Sequence, residues 1–286
     1  MTPASPTGAP EPLQPPSSHY ENFPVASWLC PPRLRPAIAA IYWFARTADD
    51  IADEGDALPA QRLADLAAYR ADLQAASEGK PGSGRWSQVF GALQPVLVQF
   101  RLPLPLLTDL LSAFEQDVVK QRYASEAELL DYCARSANPV GGLLLHLYGV
   151  KDAQALAESD CICTALQLIN FWQDLSVDIP RGRIYLPADA WARHGVDEAL
   201  LLGLQVHPAT INLIADCTRS ARATMLKGLP LVKKLPGRGG WELRLVVQGG
   251  LRIVDKIEAL NFNTLQQRPK LGPRDVLLMG WRALWL

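Results

Sequence analysis

The sequence contains no stretch of alternating apolar and polar residues long enough to form a β-strand. Its apolar residues recur at helical spacing instead, in segments that prolines and glycines separate. Apolar residues occupy 49% of the 286 positions and charged residues 20%, which is enough apolar material for a substantial buried core. We therefore predict an all-α protein, with room for one large domain or two modest ones.

Prolines and glycines divide the chain into predicted helices and linkers. The long helices are predicted at 34–52, 59–76, 86–100, 104–121, 152–179, 210–229 and 241–260. A capping box of Ser125 and Glu128 begins a shorter helix, which residues 136–142 interrupt. Such an interruption either borders a cavity or lets two helices cross closely. Residues 1–17 hold six prolines and are predicted to be a disordered tail, so the folded part spans 18–286.

Two groups of aspartates stand at the ends of two predicted helices. The first acid cluster is Asp49, Asp50 and Asp53, and the second acid cluster is Asp174 and Asp178. In each cluster, carboxylates at positions i and i+4 share one face of the helix. Because the negative end of a helix dipole disfavours carboxylates, acids at the end of the first helix need a cationic partner.

Arginines flank both acid clusters. Mg²⁺ binds through a few carboxylates together with substrate phosphates, and guanidinium groups hold phosphate oxygens with paired donors. The two clusters together therefore predict a site for Mg²⁺ and a diphosphate between two facing helices. For either cluster alone, a solvated acidic helix end is the alternative. Asp117 and Arg122 either reach this polar cavity or are surface charges. The flanking arginines are Arg46, Arg181 and Arg183.

The charge of the chain is unevenly distributed. The net charge of −1 argues against a general nucleic-acid-binding protein. Residues 216–286 hold 13 Lys and Arg against 5 Asp and Glu, a net charge of +8, which leaves −9 for the first 215 residues. This basic C-terminal segment is predicted to face anionic lipid or a diphosphate. Residues 276–286, with their leucines and two tryptophans, either cap the core or lie at a membrane interface.

Signals for several other functions are missing from the sequence. The four histidines have no zinc-ligand spacing, and there is no P-loop, nucleophile elbow or dinucleotide-binding fingerprint. Five scattered cysteines indicate reduced thiols in the cytosol. Because neither a signal-peptide pattern nor a bilayer-spanning apolar run is evident, we predict a cytoplasmic protein whose membrane contact is peripheral, on the inner face.

Four stretches of the sequence carry a resemblance to a known family. I-Y-W-F-A-R-T-A-D-D-I-A-D-E at 41–54 and N-F-W-Q-D-L-S-V-D-I-P-R-G-R-I-Y-L-P at 170–187 resemble the two aspartate-rich motifs of the squalene/phytoene synthase family. E-Q-D-V-V-K-Q-R-Y and Y-C-A-R-S-A-N-P-V-G-G are similar to its intervening helices. The resemblance covers about residues 20–265. It implies a single-domain, all-α isoprenoid synthase helical bundle over 18–286, with a central cavity, Mg²⁺ and a prenyl diphosphate substrate.

The resemblance also implies roles for individual residues. The five aspartates of the two acid clusters would be the metal ligands, and the three flanking arginines would bind the diphosphate. Asn170 and Gln173 would orient metal-bound water or the diphosphate. Aromatic faces stabilise carbocations as they do other cations, although ordinary core packing is the alternative for each ring. The aromatic residues expected in the cavity are Tyr20, Phe23, Phe44, Tyr185 and Tyr132, the last expected to be catalytic as well.

Within the family, H-Y-E-N-F-P-V-A-S and S-A-N-P-V-G are most similar to the bacterial hydroxysqualene synthase branch. That branch ionises presqualene diphosphate, rearranges the cation and captures it with water, giving hydroxysqualene and diphosphate. The first alternative is a head-to-head prenyltransferase that joins two allylic diphosphates into presqualene diphosphate or phytoene. The second alternative is a non-catalytic scaffold of the same fold. Other enzymes of squalene synthesis are the protein partners that the resemblance implies.

Overall fold

A computed structural model describes residues 30–235 and 237–286. The predicted disordered tail at 1–17 and the aromatic residues Tyr20 and Phe23 lie outside these described residues, so the start of the folded part at residue 18 stays a prediction. The described part of the chain is helical and contains no strand, only one isolated bridge between Arg122 and Ile184. The prediction of an all-α fold is therefore confirmed.

Fourteen α-helices are described, and five of the seven predicted long helices begin and end within two residues of their predicted bounds. They are α1 (Arg35–Asp53), α2 (Pro59–Ser77), α3 (Ser87–Phe100), α4 (Leu104–Val119), α5 (Glu126–Ser136), α6 (Asn138–Leu147), α7 (Ala153–Gln173), α8 (Leu175–Asp178), α9 (Ala188–His194), α10 (Glu198–Leu202), α11 (Pro208–Gly228), α12 (Leu231–Lys234), α13 (Gly237–Ala259) and α14 (Pro273–Ala283). A 3₁₀ helix at Ile179–Arg181 follows α8. Within the described residues, every helix is too short or too polar to cross a bilayer.

Local hydrogen bonds explain where two of these helices begin. The side chain of Ser125 accepts a hydrogen bond from the backbone N–H of Glu128 at the start of α5, as the capping box predicts. The Glu128 carboxylate accepts from the N–H of Ala124 rather than from that of Ser125. Asp152 caps α7 in the same way, since its carboxylate accepts from the N–H of Ala155 at 2.8 Å.

The predicted helix at 152–179 is not continuous, which corrects the sequence analysis. Asp174, with φ −102° and ψ 13°, ends α7, and a separate short helix follows. The N–H of Ser176 donates to the carbonyl of Thr264 at 3.1 Å, so a tertiary contact replaces a bond within the helix. The N–H of Asp178 still donates to the carbonyl of Asp174 at 2.9 Å. The second acid cluster thus lies across a kink.

The core consists of two hydrophobic clusters that meet at α6. One cluster is built mainly from α1 to α4 and the other from α5 to α13. Leu143 and Leu147 on α6 belong to the first cluster, whereas Leu145 belongs to the second. An apolar cavity of about 110 Å³ lies between the two clusters, and Ile38 and Cys163 are among its lining residues. The predicted central cavity is therefore present.

Along α1 and α7, the cavity lies on the amino-terminal side of both acid clusters. Ile38 precedes Asp49 on α1 by eleven residues, and Cys163 precedes Asp174 by eleven residues along α7. At 1.5 Å per residue, Ile38 and Cys163 each lie about 16 Å from the acid cluster on the same helix, and Leu166, another lining residue, lies about 12 Å from Asp174. Gly141 of α6 also lines the cavity, and a Cβ atom there would collide with side chains of α7. The interruption at 136–142 therefore serves both a close helix crossing and the cavity.

Gly228 is expected to be indispensable for the contact between α7 and α11. A Cβ atom at this position would lie 2.6 Å from the carbonyl oxygen of Glu158 and 2.5 Å from Cγ1 of Ile162. Because a backbone atom cannot move aside, Gly228→Ala should lower the free energy of unfolding by about 1–3 kcal/mol in urea denaturation. Gly91→Ala is the matched control, since no atom lies within 4 Å of its added Cβ. It should raise stability by up to about 1 kcal/mol.

Candidate active site

The first acid cluster lies at the carboxyl end of α1, where an arginine offsets its charge. The guanidinium of Arg46 is 2.5 Å from a carboxylate oxygen of Asp50 and 3.6 Å from one of Asp49. The same guanidinium is 2.7 Å from the carboxylate of Glu54, just beyond the helix. All these groups remain partly exposed, so the carboxylates and the arginine face a solvent-accessible opening.

The second acid cluster is held by an arginine that comes from a distant part of the chain. Nε and Nη2 of Arg268 donate to the two carboxylate oxygens of Asp174, at 2.6 and 2.9 Å. Nδ2 of Asn170, one turn earlier on α7, donates to Asp174 at 3.1 Å. Burial raises the pKa of the Asp178 carboxyl to about 6, and the nearby Asp174 carboxylate adds to this effect.

Arg183 connects the two acid clusters. Its guanidinium donates to the carboxylate of Asp53 at the end of α1. Its backbone N–H donates to the carbonyl of Asp178 at 2.9 Å, which keeps the loop after the second cluster against that cluster. Gly182, with φ +86°, makes the turn that brings Arg183 there, a conformation that glycine adopts without strain. The two clusters therefore face each other across a single opening.

Asp117 and Tyr132 lie close to this opening. The hydroxyl of Tyr132 donates to the Asp117 carboxylate at 2.9 Å, and Tyr132 itself is buried. The pKa of Asp117 is raised to about 7, mainly by burial and to a lesser degree by the Asp49 and Asp53 carboxylates, although the hydrogen bond from Tyr132 and the charge of Arg183 lower it. Of the two alternatives for Asp117, the structure supports the polar cavity.

Arg122 lies at the surface instead and holds the loop after the second acid cluster. Its guanidinium pairs with Glu198 at 2.7 Å and donates to the carbonyl of Gly182. The N–H of Ile184 donates to the carbonyl of Gln121 at 3.0 Å, which fastens the same loop to the end of α4. Arg122 therefore positions the loop that carries Arg183.

Two of the aromatic residues expected in the cavity, Tyr132 and Tyr185, belong to one group of neighbouring rings. Tyr185 stacks on Phe171 with ring centroids 3.8 Å apart, and both rings contact Tyr132. This aromatic group borders the acidic opening, because the hydroxyl of Tyr132 donates to Asp117 and Tyr185 follows Arg183 by two residues. Burial, the largest effect, raises the pKa of Tyr185 far above its usual value.

For Phe44 the structure supports core packing, the alternative to a place in the cavity. It is fully buried, with its ring stacked on Tyr69 at 5.4 Å and edge-on to Phe90 at 6.3 Å, and it is not among the residues that line the central cavity. The hydroxyl of Tyr69 also donates to its carbonyl at 3.1 Å. The position of Phe44 on α1 turns its ring into the core between α1, α2 and α3, so its contribution is packing.

Gln173 and Arg181, both predicted to act at the diphosphate site, make different contacts. The amide of Gln173 donates to the carbonyl of Pro269 at 2.7 Å, so it fastens the segment that carries Arg268. This contact gives Gln173 a positioning role, and its role in orienting metal-bound water or a diphosphate stays a prediction. Arg181 is exposed on the 3₁₀ helix and forms no ion pair within the described part of the chain. Its charge lowers the pKa of Asp178, although burial has the larger, opposite effect.

The donor set fits Mg²⁺ only together with a phosphorylated ligand. No group of three or more His, Cys, Asp or Glu side chains converges on one point anywhere in 30–235 or 237–286. Mg²⁺ nevertheless often binds through one or two carboxylates and completes its shell with water and substrate phosphates. Pairs of carboxylates interleaved with arginines provide that arrangement. The candidate ligands are Asp49, Asp50, Asp53, Asp174 and Asp178.

Arg268 is the main residue of this site that the sequence analysis missed. It lies in the loop after α13, and 94 residues separate it from Asp174. The basic composition of residues 216–286 was the only sequence signal that included it. No local motif relates Arg268 to the acid clusters, because tertiary packing alone brings it there.

Asp117→Asn is expected to stabilise the metal-free protein at alkaline pH. A raised pKa means that the folded state keeps a proton that the unfolded chain loses, so stability falls as pH rises from about 4 to about 7. Asparagine removes this effect and still accepts from Tyr132. Chelator-treated protein should therefore gain roughly 1–4 kcal/mol at pH 8 and nothing at pH 4 in urea denaturation. Asp131→Asn, at an exposed position on α5, is the control. A loss of stability of Asp117→Asn at pH 8 would refute the raised pKa of Asp117.

Known proteins resemble this chain over most of its length. A sequence model of the family described as squalene/phytoene synthase matches residues 17–275. A hydroxysqualene synthase of Sinorhizobium fredii is 33% identical over 267 residues, covering 92% of this chain and 88% of that protein. A phytoene synthase of Thermus thermophilus is 30% identical over 257 residues, covering 89% and 84%.

Solved structures extend this similarity to the fold. The squalene synthase HpnC of Alicyclobacillus acidocaldarius superimposes with a TM-score of 0.79 at 33% identity, covering 86% of this chain and 90% of that one. A dehydrosqualene synthase solved with a ligand gives a TM-score of 0.78 at 21% identity, covering 92% and 90%. The arrangement of helices described above is thus shared with both proteins.

Proposed function

This chain belongs to the squalene/phytoene synthase family, and from that premise we propose that it is a Mg²⁺-dependent hydroxysqualene synthase. The family uses prenyl diphosphate substrates and generally a divalent metal. The proposed substrate is presqualene diphosphate. The proposed reaction breaks its bond to the diphosphate, rearranges the cyclopropylcarbinyl cation and adds water, which releases hydroxysqualene and diphosphate.

One observation supports this proposal most strongly. The two acid clusters, which are far apart in sequence, are joined through the contact of Arg183 with Asp53. Each cluster is also paired with an arginine, Arg46 in the first and Arg268 in the second. Carboxylates alternating with guanidinium groups suit a ligand that combines divalent cations with a polyanion. A purely structural set of ion pairs would not need both clusters at one exposed opening.

The arginines are proposed to hold the diphosphate oxygens while the carboxylates hold the metal. Bound Mg²⁺ would supply neutralisation of the negative charge that develops on the leaving group. In the structure, the guanidinium groups of Arg183 and Arg268 pair with carboxylates. The anionic oxygens of a diphosphate would be equivalent partners for them. Guanidinium groups aimed at the leaving oxygens stabilise the charge of bond breaking, which lowers the barrier.

Aromatic rings beside the opening are proposed to protect the cation. Tyr132, Phe171 and Tyr185 present neighbouring faces near the acid clusters, and such faces attract positive charge. The central apolar cavity would bind part of the hydrocarbon chain of the substrate and shield it from water. Asp117, hydrogen-bonded to Tyr132, is the proposed acceptor for the proton that the captured water releases.

The proposed reaction is tested with purified protein, Mg²⁺ and presqualene diphosphate. We expect release of pyrophosphate together with an alcohol of the squalene skeleton, without any added reductant. Recovery of unchanged substrate from folded protein would refute the proposal. Heat-treated protein controls for spontaneous ionisation of the substrate.

A head-to-head prenyltransferase is the second candidate function. The observation that favours it is the similarity to a phytoene synthase, at 30% identity over 89% of this chain. Such an enzyme joins two allylic diphosphates, and it would use the same carboxylates and arginines. Farnesyl diphosphate supplied alone distinguishes the two, because only the prenyltransferase would consume it.

A further inference from the structure

The last helix presents an apolar face to solvent. On α14 and in the turn that follows it, the exposed apolar residues Leu277, Trp281 and Leu284 recur at i, i+4 and i+7, which places them in one stripe. Leu277 and Trp285 are each 77% exposed and Trp281 is 61% exposed. The rings of Trp281 and Trp285 contact each other edge to face, with centroids 6.3 Å apart. We call these four residues the outer face of α14.

The opposite side of α14 contacts the protein through charged groups. The carboxylate of Asp275 is buried and pairs with Arg252 at 2.6 Å and with Lys256 at 2.7 Å, both on α13. Arg282, two turns later, pairs with Asp255 of α13 at 2.7 Å. The helix is therefore fixed in its orientation by ion pairs. It cannot turn its apolar stripe inward without leaving the Asp275 carboxylate without partners.

This arrangement differs from that in an ordinary surface helix, because the largest apolar side chains of α14 and of the turn after it face solvent. A helix on a protein in water normally buries its apolar stripe and exposes its charges. Here the inward side carries ion pairs beside the buried Ala283, and the outward side carries two tryptophans and two leucines. Large contiguous apolar patches on a protein surface mark sites of contact with another protein or a membrane.

The surroundings of the outer face favour an anionic lipid surface. Residues 216–286 carry a net charge of +8, which attracts anionic headgroups. Arg274 and Lys270 are exposed near the start of α14, and their side chains form no ion pair within 30–235 and 237–286. Trp241, partly exposed, lies near the other end of α14, because Arg244 contacts both its ring and the carbonyl of Ala283. Tryptophans beside cations are typical of membrane interfaces.

We propose that the outer face of α14 binds an anionic membrane surface, with its tryptophans and leucines in the boundary between headgroups and acyl chains. The helix would lie in the plane of the interface, since it is far too short to span a bilayer. Arg274 and Lys270 would meet the headgroups. This proposal depends on the contacts of α14 alone and not on which reaction the protein catalyses.

Co-sedimentation with vesicles tests the proposal. The full chain is mixed with vesicles of phosphatidylcholine, or of phosphatidylcholine and phosphatidylglycerol in equal parts. We expect binding to the mixed vesicles and a blue shift of tryptophan fluorescence. The variant Leu277→Gln with Trp281→Gln and Trp285→Gln should bind at least about tenfold more weakly, because it loses three apolar side chains that would insert into the membrane interface.

A matched control replaces three other exposed apolar residues by glutamine, namely Leu58, Val98 and Leu202, which are 74%, 70% and 52% exposed. This control should bind vesicles like the unaltered protein. Equal binding by both triple variants, or no binding to mixed vesicles at low salt, would overturn the proposal. So would a dimer in light scattering that the α14 variant alone converts to monomers, because a second copy would then cover this face. Circular dichroism confirms that each variant is folded.

Discussion

Replacing Asp50 and Asp174 together by asparagine should lower the rate of diphosphate release by about a thousandfold or more. Each substitution removes one anionic metal ligand from one of the two acid clusters and keeps the size of the side chain. The proposed chemistry needs both clusters, because the leaving group would lie between them. Circular dichroism and the urea midpoint should change little, since Asp50 is 40% exposed and asparagine at 174 still accepts a hydrogen bond from the partly exposed Arg268. The rate is measured as pyrophosphate release at saturating Mg²⁺.

The matched control for this double variant is Asp65→Asn with Asp131→Asn. These two residues form surface ion pairs with Arg85 and Arg135, away from the opening. The control should keep full activity. A double variant of the acid clusters that is inactive in vitro yet sustains the cellular role of the protein would favour the scaffold alternative. Undiminished turnover would contradict the proposed role of the clusters.

Arg268→Gln is expected to lower kcat/KM by roughly 10- to 100-fold, because a charged hydrogen-bond donor to the diphosphate is lost. In the structure its guanidinium forms a bidentate pair with Asp174. When that carboxylate holds metal, the guanidinium would be released to the phosphate oxygens. The folded state should lose no more than about 1 kcal/mol, since the arginine is partly exposed. Steady-state kinetics and urea denaturation measure the two effects.

Arg85→Gln is a close control for this variant. Arg85 forms a bidentate pair with Asp65 at 2.6 and 2.9 Å, the same two distances as in the pair of Arg268 and Asp174. The two arginines are also similarly exposed. Their replacement should therefore affect stability alike, whereas only the loss of Arg268 should affect kcat/KM. Equal kinetics for the two variants would show that Arg268 has no part in binding substrate.

The helices were predictable because their signals are local. Apolar periodicity and prolines mark nearly all of the long helices, and the first acid cluster falls at the end of α1 as expected, whereas the second is divided between the end of α7 and α8. The kink at Asp174 was not predictable, because its cause is the carbonyl of Thr264, which packing brings to the N–H of Ser176. Sequence periodicity cannot show that a residue far along the chain will compete for a helical hydrogen bond.

Only those residues of the candidate site that lie within the two aspartate-rich motifs were predictable. The aspartates and Arg183 stand within short motifs, and the structure brings them together. Arg268 stands alone in a loop, so no pattern related it to Asp174. Phe44 and Tyr185 are both aromatic residues beside the motifs, yet one packs in the core and the other borders the opening. Only the orientation of each side chain distinguishes them, and that depends on tertiary packing.

The proposed reaction is tested most directly by the origin of the oxygen in the product. Presqualene diphosphate is incubated with the protein and Mg²⁺ in heavy-oxygen water, beside a reaction with farnesyl diphosphate alone, and the products are analysed by mass spectrometry. Ionisation at carbon followed by water capture predicts a rearranged alcohol that carries the solvent oxygen, and no consumption of farnesyl diphosphate. An alcohol that retains the substrate oxygen, or the joining of two farnesyl groups, would contradict the proposal.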